Sequence, residues 1–299
     1  MAVAPPRPKM PPLNALKAFE AAARLNSFSA AADELCVTPA AVAQQIKSLE
    51  AWTGEKLFRR NAQGVQLTPL GAQVLPGFIA AFDALAETVQ TLRTTANPQD
   101  IRIAATPSIA QLWVSPRLPA LRAAMPEMSV SITAMETPPN LSREPFDLAI
   151  FYRSDEETPD EILIARDVIY PVCSPAVAQA LRTVEDLSGQ TFLYDATWKM
   201  DWQIWLATAL PGRPLLKSGP EYSLFSLALE ECKNGAGVLI GHDALVSDEV
   251  KRGTLVAPFL IHAELPTRLS MRSMKPLQGG SPAKQVADFL LTQHPLALC

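Results

Sequence analysis

Four cysteines, Cys36, Cys173, Cys232 and Cys299, are scattered through the 299 residues without one Cys-x-x-Cys pair. That spacing favours free thiols in a reducing cytosol over a disulfide framework or a metal site. Histidine is as scarce. His242, His262 and His294 lie far apart, and no His-x-x-His or Glu-x-x-His pair exists. No Gly-x-Ser-x-Gly, phosphate-loop lysine or full dinucleotide fingerprint appears, and Gly235-Ala236-Gly237 precedes a strand-like run, so it reads as a turn. An enzyme is therefore not expected: no catalytic residues, no metal and no cofactor. No long uninterrupted apolar run could span a bilayer, and the Pro-rich, basic Met1 to Pro12 lacks the apolar core of a secretory signal. A disordered lead-in on a cytoplasmic protein with no membrane partner is the expectation.

Charge is small in total but uneven. Within residues 1–60, eight Lys/Arg (Arg7, Lys9, Lys17, Arg24, Lys47, Lys56, Arg59, Arg60) face five Asp/Glu (Glu20, Asp33, Glu34, Glu50, Glu55), a balance of +3. The chain total is −4, so the other 239 residues carry −7. A basic N-terminal unit on an acidic body suits a small DNA-binding head.

The pattern of that head is the most informative stretch. Leu13, Leu16, Phe19, Ala22 and Ala23 give a first helix ending near Asn26, and Ser29 is placed to cap a second with Ala31, Ala32 and Leu35 inside. After the short Cys36-Val37 turn, Thr38 caps a third helix whose first position is Pro39. Val42, Ile46 and Leu49 form its inner stripe; Ala40, Ala43, Gln44 and Lys47 form an outer one. Small residues permit close approach to a groove, and Gln can bond a base edge. Two short helices about a tight turn, after a packing helix, make a helix-turn-helix. Gly54 can end the third helix. Lys56 to Arg60 and Val65 to Thr68, about the turn Asn61-Ala62-Gln63-Gly64, then predict a hairpin wing with Arg59 and Arg60 at its base, placed for phosphates.

Pro11 to Ala23, Ser27 to Ala32, Leu35 to Thr38, Gln45 to Glu50 and Leu57 to Arg60 together resemble the DNA-binding head of LysR-type transcriptional regulators, most like the glycine-cleavage-activator branch. The resemblance implies base reading by Pro39, Ala40, Ala43 and Gln44, with phosphate contacts near Ser27, Thr38, Lys47 and Arg59. Ala43 stands where many members carry Ser, which removes one hydroxyl contact.

Thr68-Pro69 repeats the cap-and-proline start. Leu70, Val74, Phe78, Phe82, Leu85, Val89 and Leu92 then step by three or four residues, a near-heptad stripe over about seven turns. It resembles the family's dimerising linker helix; Pro76 should kink it. Asn97-Pro98 reads as a hinge.

Strand-like and helix-like stretches alternate thereafter. Strands are expected at Ile101 to Ala105, Met128 to Ala134, Phe146 to Phe151, Thr191 to Tyr194, Gly237 to Gly241 and Leu265 to Met271, and helices at Ser108 to Ala124, through Trp202 and Trp205, and at Pro282 to Leu291. The alternation implies parallel sheets. The expected fold class is α/β: a winged helix-turn-helix (1–68), a linker helix (69–97), and a two-lobed, periplasmic-binding-protein-like effector domain (98–299). Lobe I takes about 98–172 and 267–299, and lobe II about 173–266.

Ligands gather beyond strand carboxyl ends in such sheets. The turn Ala105-Thr106-Pro107-Ser108 suits a carboxylate, and the resemblance supports it as an effector site. Thr106 and Ser108 are candidates there, with Phe151 and Tyr152 lining the same cleft and Tyr194, Ser223, Phe225 and His242 facing from the second lobe. Trp198, Trp202 and Trp205 are spaced for one helical face, with Trp198 nearest the cleft. The functional expectation is a transcriptional regulator that binds a partly palindromic operator as a dimer and answers to a small molecule, amino-acid-like or a carboxylate. The resemblance further implies a homotetramer and contact with RNA polymerase. The alternatives are a transport-type solute-binding protein and an architectural DNA binder with a non-responsive body.

Overall fold

The computed structural model describes residues 10–61, 64–154, 158, 161–213, 217–274 and 276–292. His294, Cys299 and the lead-in through Lys9 fall outside them. The chain forms two compact units, Met1–Val89 and Gln90–Cys299.

The first unit holds α1 (Leu13–Leu25), α2 (Phe28–Glu34), α3 (Pro39–Thr53), strands β1 (Phe58–Asn61) and β2 (Gly64–Leu67), and most of α4 (Pro69–Ala96). Alanines let the three short helices cross closely: Ala15, Ala22, Ala31 and Ala32 are completely buried with Phe19 and Val42. The cap of α2 is Ser27 rather than Ser29; its hydroxyl accepts the Ala30 amide at 3.2 Å. Thr38 caps α3 by accepting from Ala41 N at 3.2 Å, and Gly54 ends it at φ +78°. The buried Glu50 ties α3 to the hairpin. Its carboxylate accepts from Leu57 N at 3.0 Å, Phe58 N at 3.4 Å and Lys56 Nζ at 2.6 Å. Burial pushes this carboxyl up, but Lys56 and the two amides outweigh it and leave the group below the ordinary range.

The α4 helix runs unbroken through Pro76. By length and composition alone it is apolar enough to cross a bilayer, with a mean hydropathy of 1.3 over its most apolar stretch, although Asp83, Glu87 and Arg93 interrupt it as the sequence expectation required. Its stripe has two environments. Val74, Phe78 and Phe82 pack partly buried against the cluster of Leu16, Phe19 and Leu57, with Phe78 edge-on to Phe19 at 5.4 Å. Leu70, Leu85, Val89 and Leu92 remain 36–70% exposed. The expectation of one seven-residue seam is corrected accordingly, because three of its residues already have partners in their own chain.

The second unit is built on one eight-stranded sheet. Its strands are β3 (Asp100–Ala105), β4 (Ser129–Ala134), β5 (Leu148–Arg153), β6 (Glu161–Cys173), β7 (Phe192–Asp195), β8 (Glu221–Tyr222), β9 (Val238–His242) and β10 (Ala263–Arg272), in the order β4-β3-β5-β10-β6-β9-β7-β8. The helices are α5 (Pro107–Ile109), α6 (Leu118–Ala124), α7 (Pro175–Ala178), α8 (Asp201–Ala209), α9 (Phe225–Lys233), α10 (Asp243–Arg252) and α11 (Pro282–Thr292). The two outer groups of strands are parallel, one per lobe, but β6 and β10 run antiparallel through the middle. The sheet is therefore mixed rather than parallel, and those two long strands carry the chain between lobes. Their pairing shifts register between Glu264 and Arg268.

The expected helix from Ser108 to Ala124 is also broken. After α5 come a π-helical turn (Ala110–Val114) and a 3-10 turn (Ser115–Arg117) before α6. Pro116 and Pro119 lack the N–H groups that a continuous α-helix would need. Trp198 precedes α8 instead of sharing a face with Trp202 and Trp205, whose indole N–H groups donate to the Leu193 and Ile261 carbonyls at 3.0 and 2.9 Å.

Glu50→Ala should orphan the buried Leu57 amide, a loss of about 1–3 kcal/mol, whereas Glu50→Gln keeps an acceptor and should cost less. Hydrogen exchange of the full chain checks this: Leu57 and Phe58 amides should exchange faster in the alanine variant. Unchanged exchange would refute the role given to Glu50.

Candidate DNA-binding face and effector cleft

On α3 the inner stripe is buried and the outer one is open. Val42, Ile46 and Leu49 are at most 3% exposed, while Pro39, Ala40, Gln44 and Lys47 are exposed and Ala43 is half-buried toward the hairpin. Thr38 is exposed and Ser27 half-buried, each with its hydroxyl oxygen already accepting a helix amide. Arg59 is exposed on β1, where it pairs with Gln66. Arg60 pairs with Val65 in the same ladder; its side chain lies outside the described part. The face thus offers small residues, one amide side chain and cations flanking it, a combination suited to a groove edged by phosphates.

In the second unit the proposed effector residues separate into groups. Tyr152, Trp198, Phe225 and His242 converge. Trp198 lies 3.9 Å from the His242 ring, 5.6 Å from Tyr152 and 5.4 Å from Phe225, centroid to centroid. Thr106 occupies the N-cap position of the turn after β3, next to β5, without a side-chain cap bond, and its hydroxyl oxygen is buried with no partner; Ser108 is buried two residues on. The other three do not join them. Phe151 packs with Ala104, Phe146 and Ala149 and lines a separate pocket of about 300 Å³ with Arg153 and Arg272. Adjacent strand residues face opposite sides, so Phe151 and Tyr152 cannot line one cleft. The Tyr194 hydroxyl donates to the Lys217 carbonyl, and Ser223 is exposed after β8.

Sequence reasoning missed the groups that hold His242. This ring is fully buried, with Nδ1 2.7 Å from an oxygen of Asp167 on β6 and Nε2 3.0 Å from one of Asp201 on α8. Thr267, on β10, donates to the other Asp167 oxygen at 2.5 Å. Burial alone would pull the imidazole down, but the two carboxylates outweigh it and hold it at about 9. His242 is thus a charged clasp between both crossing strands and lobe II, with no nitrogen left for a ligand. One signal was available: Asp167 is the one carboxylate between Ile162 and Cys173, in an otherwise mostly apolar run. A second missed group is Asp147, half-buried beside the end of α4. Arg93 Nη2 donates to it at 2.5 Å, and Arg102 N at 2.9 Å.

Comparison with known proteins follows the same division. A family model described as bacterial regulatory helix-turn-helix protein, lysR family, matches residues 13–72, and one described as LysR substrate binding domain matches residues 95–295. The glycine cleavage system transcriptional activator of Escherichia coli (strain K12) is 35% identical over 255 residues, covering 84% of this chain and 83% of its own. The transcriptional activator AmpR of Rhodobacter capsulatus is 32% identical over 255 residues, 85% of this chain and 87% of its own. The solved structure of CrgA, a LysR-type regulator from Neisseria meningitidis, covers 95% of this chain and 99% of its own at a TM-score of 0.51 and 20% identity. The effector domain of AmpR from Pseudomonas aeruginosa covers 65% and 94% at a TM-score of 0.53 and 19% identity. At that identity the two structures show the fold alone.

The His242 clasp makes a pH prediction. A pKa raised on folding stabilises fully below the unfolded value of about 6.5 and is lost as pH rises through about 9. Unfolding free energy should therefore fall by a few kcal/mol between pH 6.5 and 9, and His242→Gln should flatten that slope. Denaturant titrations at fixed pH values would test it; equal slopes in both proteins would exclude the clasp.

Proposed function

The chain belongs to the LysR family of bacterial transcriptional regulators, in the branch of the glycine cleavage system activators, and we propose how it reads DNA and senses a ligand. It is a DNA-binding regulator with an effector-binding domain and not an enzyme. In our reading residues 1–68 bind DNA, 69–97 form the linker, and 98–299 bind effector, with lobe I about 98–172 and 267–299 and lobe II about 173–266.

The observation that carries the DNA proposal is the exposed Gln44 and Lys47 on a doubly anchored α3, beside a hairpin bearing exposed Arg59. Gln44 would be the main direct reader of base edges, with Pro39, Ala40 and Ala43 allowing close approach. Ser27, Thr38, Lys47, Arg59 and Arg60 would meet phosphates. Because Ala40 and Ala43 bring no polar group, much of the sequence preference would come from DNA shape. The exposed stripe Leu70, Leu85, Val89 and Leu92 fits a second copy of the chain. Large apolar side chains in one row on a helix need a partner, and α4 also carries Asp83, Glu87 and Arg93, charges that suit a water-lapped seam better than lipid. A dimer on a two-fold axis implies matched half-sites in a partly palindromic operator. We extend this to a homotetramer acting in the cytoplasm and contacting RNA polymerase.

For the effector, Thr106 and Tyr152 of lobe I and the Trp198–His242 cluster of lobe II support a ligand held between lobes, amino-acid-like or a small carboxylate. Its binding would shift the balance of lobe closure.

Gln44→Ala should change base preference at single operator positions in a gel-shift series, by about 1–3 kcal/mol. Arg59→Ala should weaken all sequences alike and reduce the salt slope by about one. Unaltered binding by both would exclude this reading face. A thermal-shift screen with small metabolites tests the cleft: no stabilisation by any, with normal operator binding, would favour a purely architectural protein.

A further inference from the structure

Asp195 ends β7 and is only 5% exposed, yet one of its oxygens is left over. Oδ1 accepts from Thr197 N at 2.8 Å and Trp198 N at 3.1 Å, while Oδ2 is buried and has no partner. A buried carboxylate oxygen without a donor is costly. Burial pushes the carboxyl up, and neither the two amides nor the His242 imidazolium reverses the shift.

Its surroundings show where that oxygen belongs. The two-residue period of a strand puts Asp195 on the face of Leu193, away from Tyr194. Leu193 packs in the cluster that includes Phe225 and is joined by Tyr152 and Trp198. Trp198 links the two lobes here: its N–H binds Asp195, and its ring contacts Tyr152 and His242. Of the three other described side-chain oxygens that are buried without a partner, two are at this end of the sheet, Thr106 Oγ1 and the Tyr152 hydroxyl, and the third is Ser270 Oγ on β10. Thr106, Tyr152 and Asp195 sit at or just beyond the carboxyl ends of β3, β5 and β7, where open sheets bind ligands.

Charge decides what kind of ligand fits. Asp167, Asp201 and Asp243 all act on Tyr152, whose hydroxyl is pushed well up, first by burial and then by these carboxylates. The hydroxyl therefore stays a neutral donor. Among the described residues of this cluster, His242 is the one cation, and both its nitrogens face aspartates. An anion alone would enter a net negative site; a zwitterion would bring its own positive group to the unpaired oxygen.

We propose that Asp195 is the ammonium-binding residue of the effector site, and that the effector is an α-amino acid or a compound ending in one. The ammonium group donates to Asp195 Oδ2, and the ligand carboxylate accepts from the Thr106 and Tyr152 hydroxyls. This rests on the cleft proposed above and adds the charge of its occupant.

Titration of the full chain by calorimetry and thermal shift would use L-alanine, L-serine and L-glutamate against propionate, 3-hydroxypropionate and glutarate, their amine-free counterparts. The amino acids should bind and raise Tm, and the amine-free acids should not. Asp195→Asn should weaken amino-acid binding about 30-fold or more. Without ligand its Tm should hold or rise, since no buried charge is left unpaired. If Asp195→Asn keeps the amino-acid response, or the amine-free acids bind equally and Thr106→Val abolishes it, the ammonium assignment falls and the cleft stands. A response indifferent to both substitutions, or none to any probe, overturns the two together.

Discussion

Asp167 lies on β6, and its two oxygens hold His242 of β9 and Thr267 of β10. These contacts fall where β6 and β10 change register on their way between lobes. A crossing made of two strands is a natural hinge, since few backbone angles must change for the lobes to move. Yet a hinge whose polar groups were unsatisfied would be a weak point. The charged clasp resolves this by placing an ion pair where water is excluded, with every ring nitrogen engaged. Burying such a group is costly unless the geometry is good, and at 2.7 and 3.0 Å it is. The aromatic cluster beside it then depends on the clasp, because Trp198, Tyr152 and Phe225 all pack on the ring that it orients.

A similar device recurs at two other junctions of the chain. Glu50 gathers the Leu57 and Phe58 amides and so fixes the hairpin on α3. Asp147 gathers Gln90, Arg93 and the Arg102 amide at the end of α4. Each is a carboxylate largely covered by a neighbouring element and held by backbone as well as side-chain donors. Such groups add positional precision where hydrophobic contact alone would allow sliding. The head illustrates the contrast: its alanine-lined crossings set how close the helices come, while the Glu50 contacts fix the angle of the wing.

Legibility in the sequence follows the range of the interactions involved. Helix α3 could be read because a cap, a proline, an apolar stripe and a terminal glycine are all local to Thr38–Gly54. The linker helix was legible for the same reason, though its division into a half-buried and an exposed part needed the positions of Phe19 and Leu57. The crossing strand β6 was not. It is buried for much of its length, so it shows no alternation, and only its end near Val172 carried a signal. Ser29 reads as a cap from its place before the alanine run, but the helix starts earlier, at Phe28, and Ser27 is the cap. Pairing Phe151 with Tyr152 was an error of a different kind, since the alternation of a strand already forbids two neighbours from sharing a face.

That alternation applies equally to Tyr194 and Asp195. Tyr194 was selected as an aromatic at a strand end, and the fold turns it to the Phe192 side, where its hydroxyl is used by the Lys217 carbonyl. The residue beside it faces the cluster and keeps an oxygen free. An acidic residue at a strand terminus is easily taken for a turn former, and Asp195 does serve the Thr197 and Trp198 amides in that way. The surplus is visible only when each buried donor and acceptor is accounted for in three dimensions. On β7, therefore, accounting for each buried oxygen separates Asp195, which the protein leaves with an unsatisfied Oδ2, from Tyr194, whose hydroxyl the fold already employs.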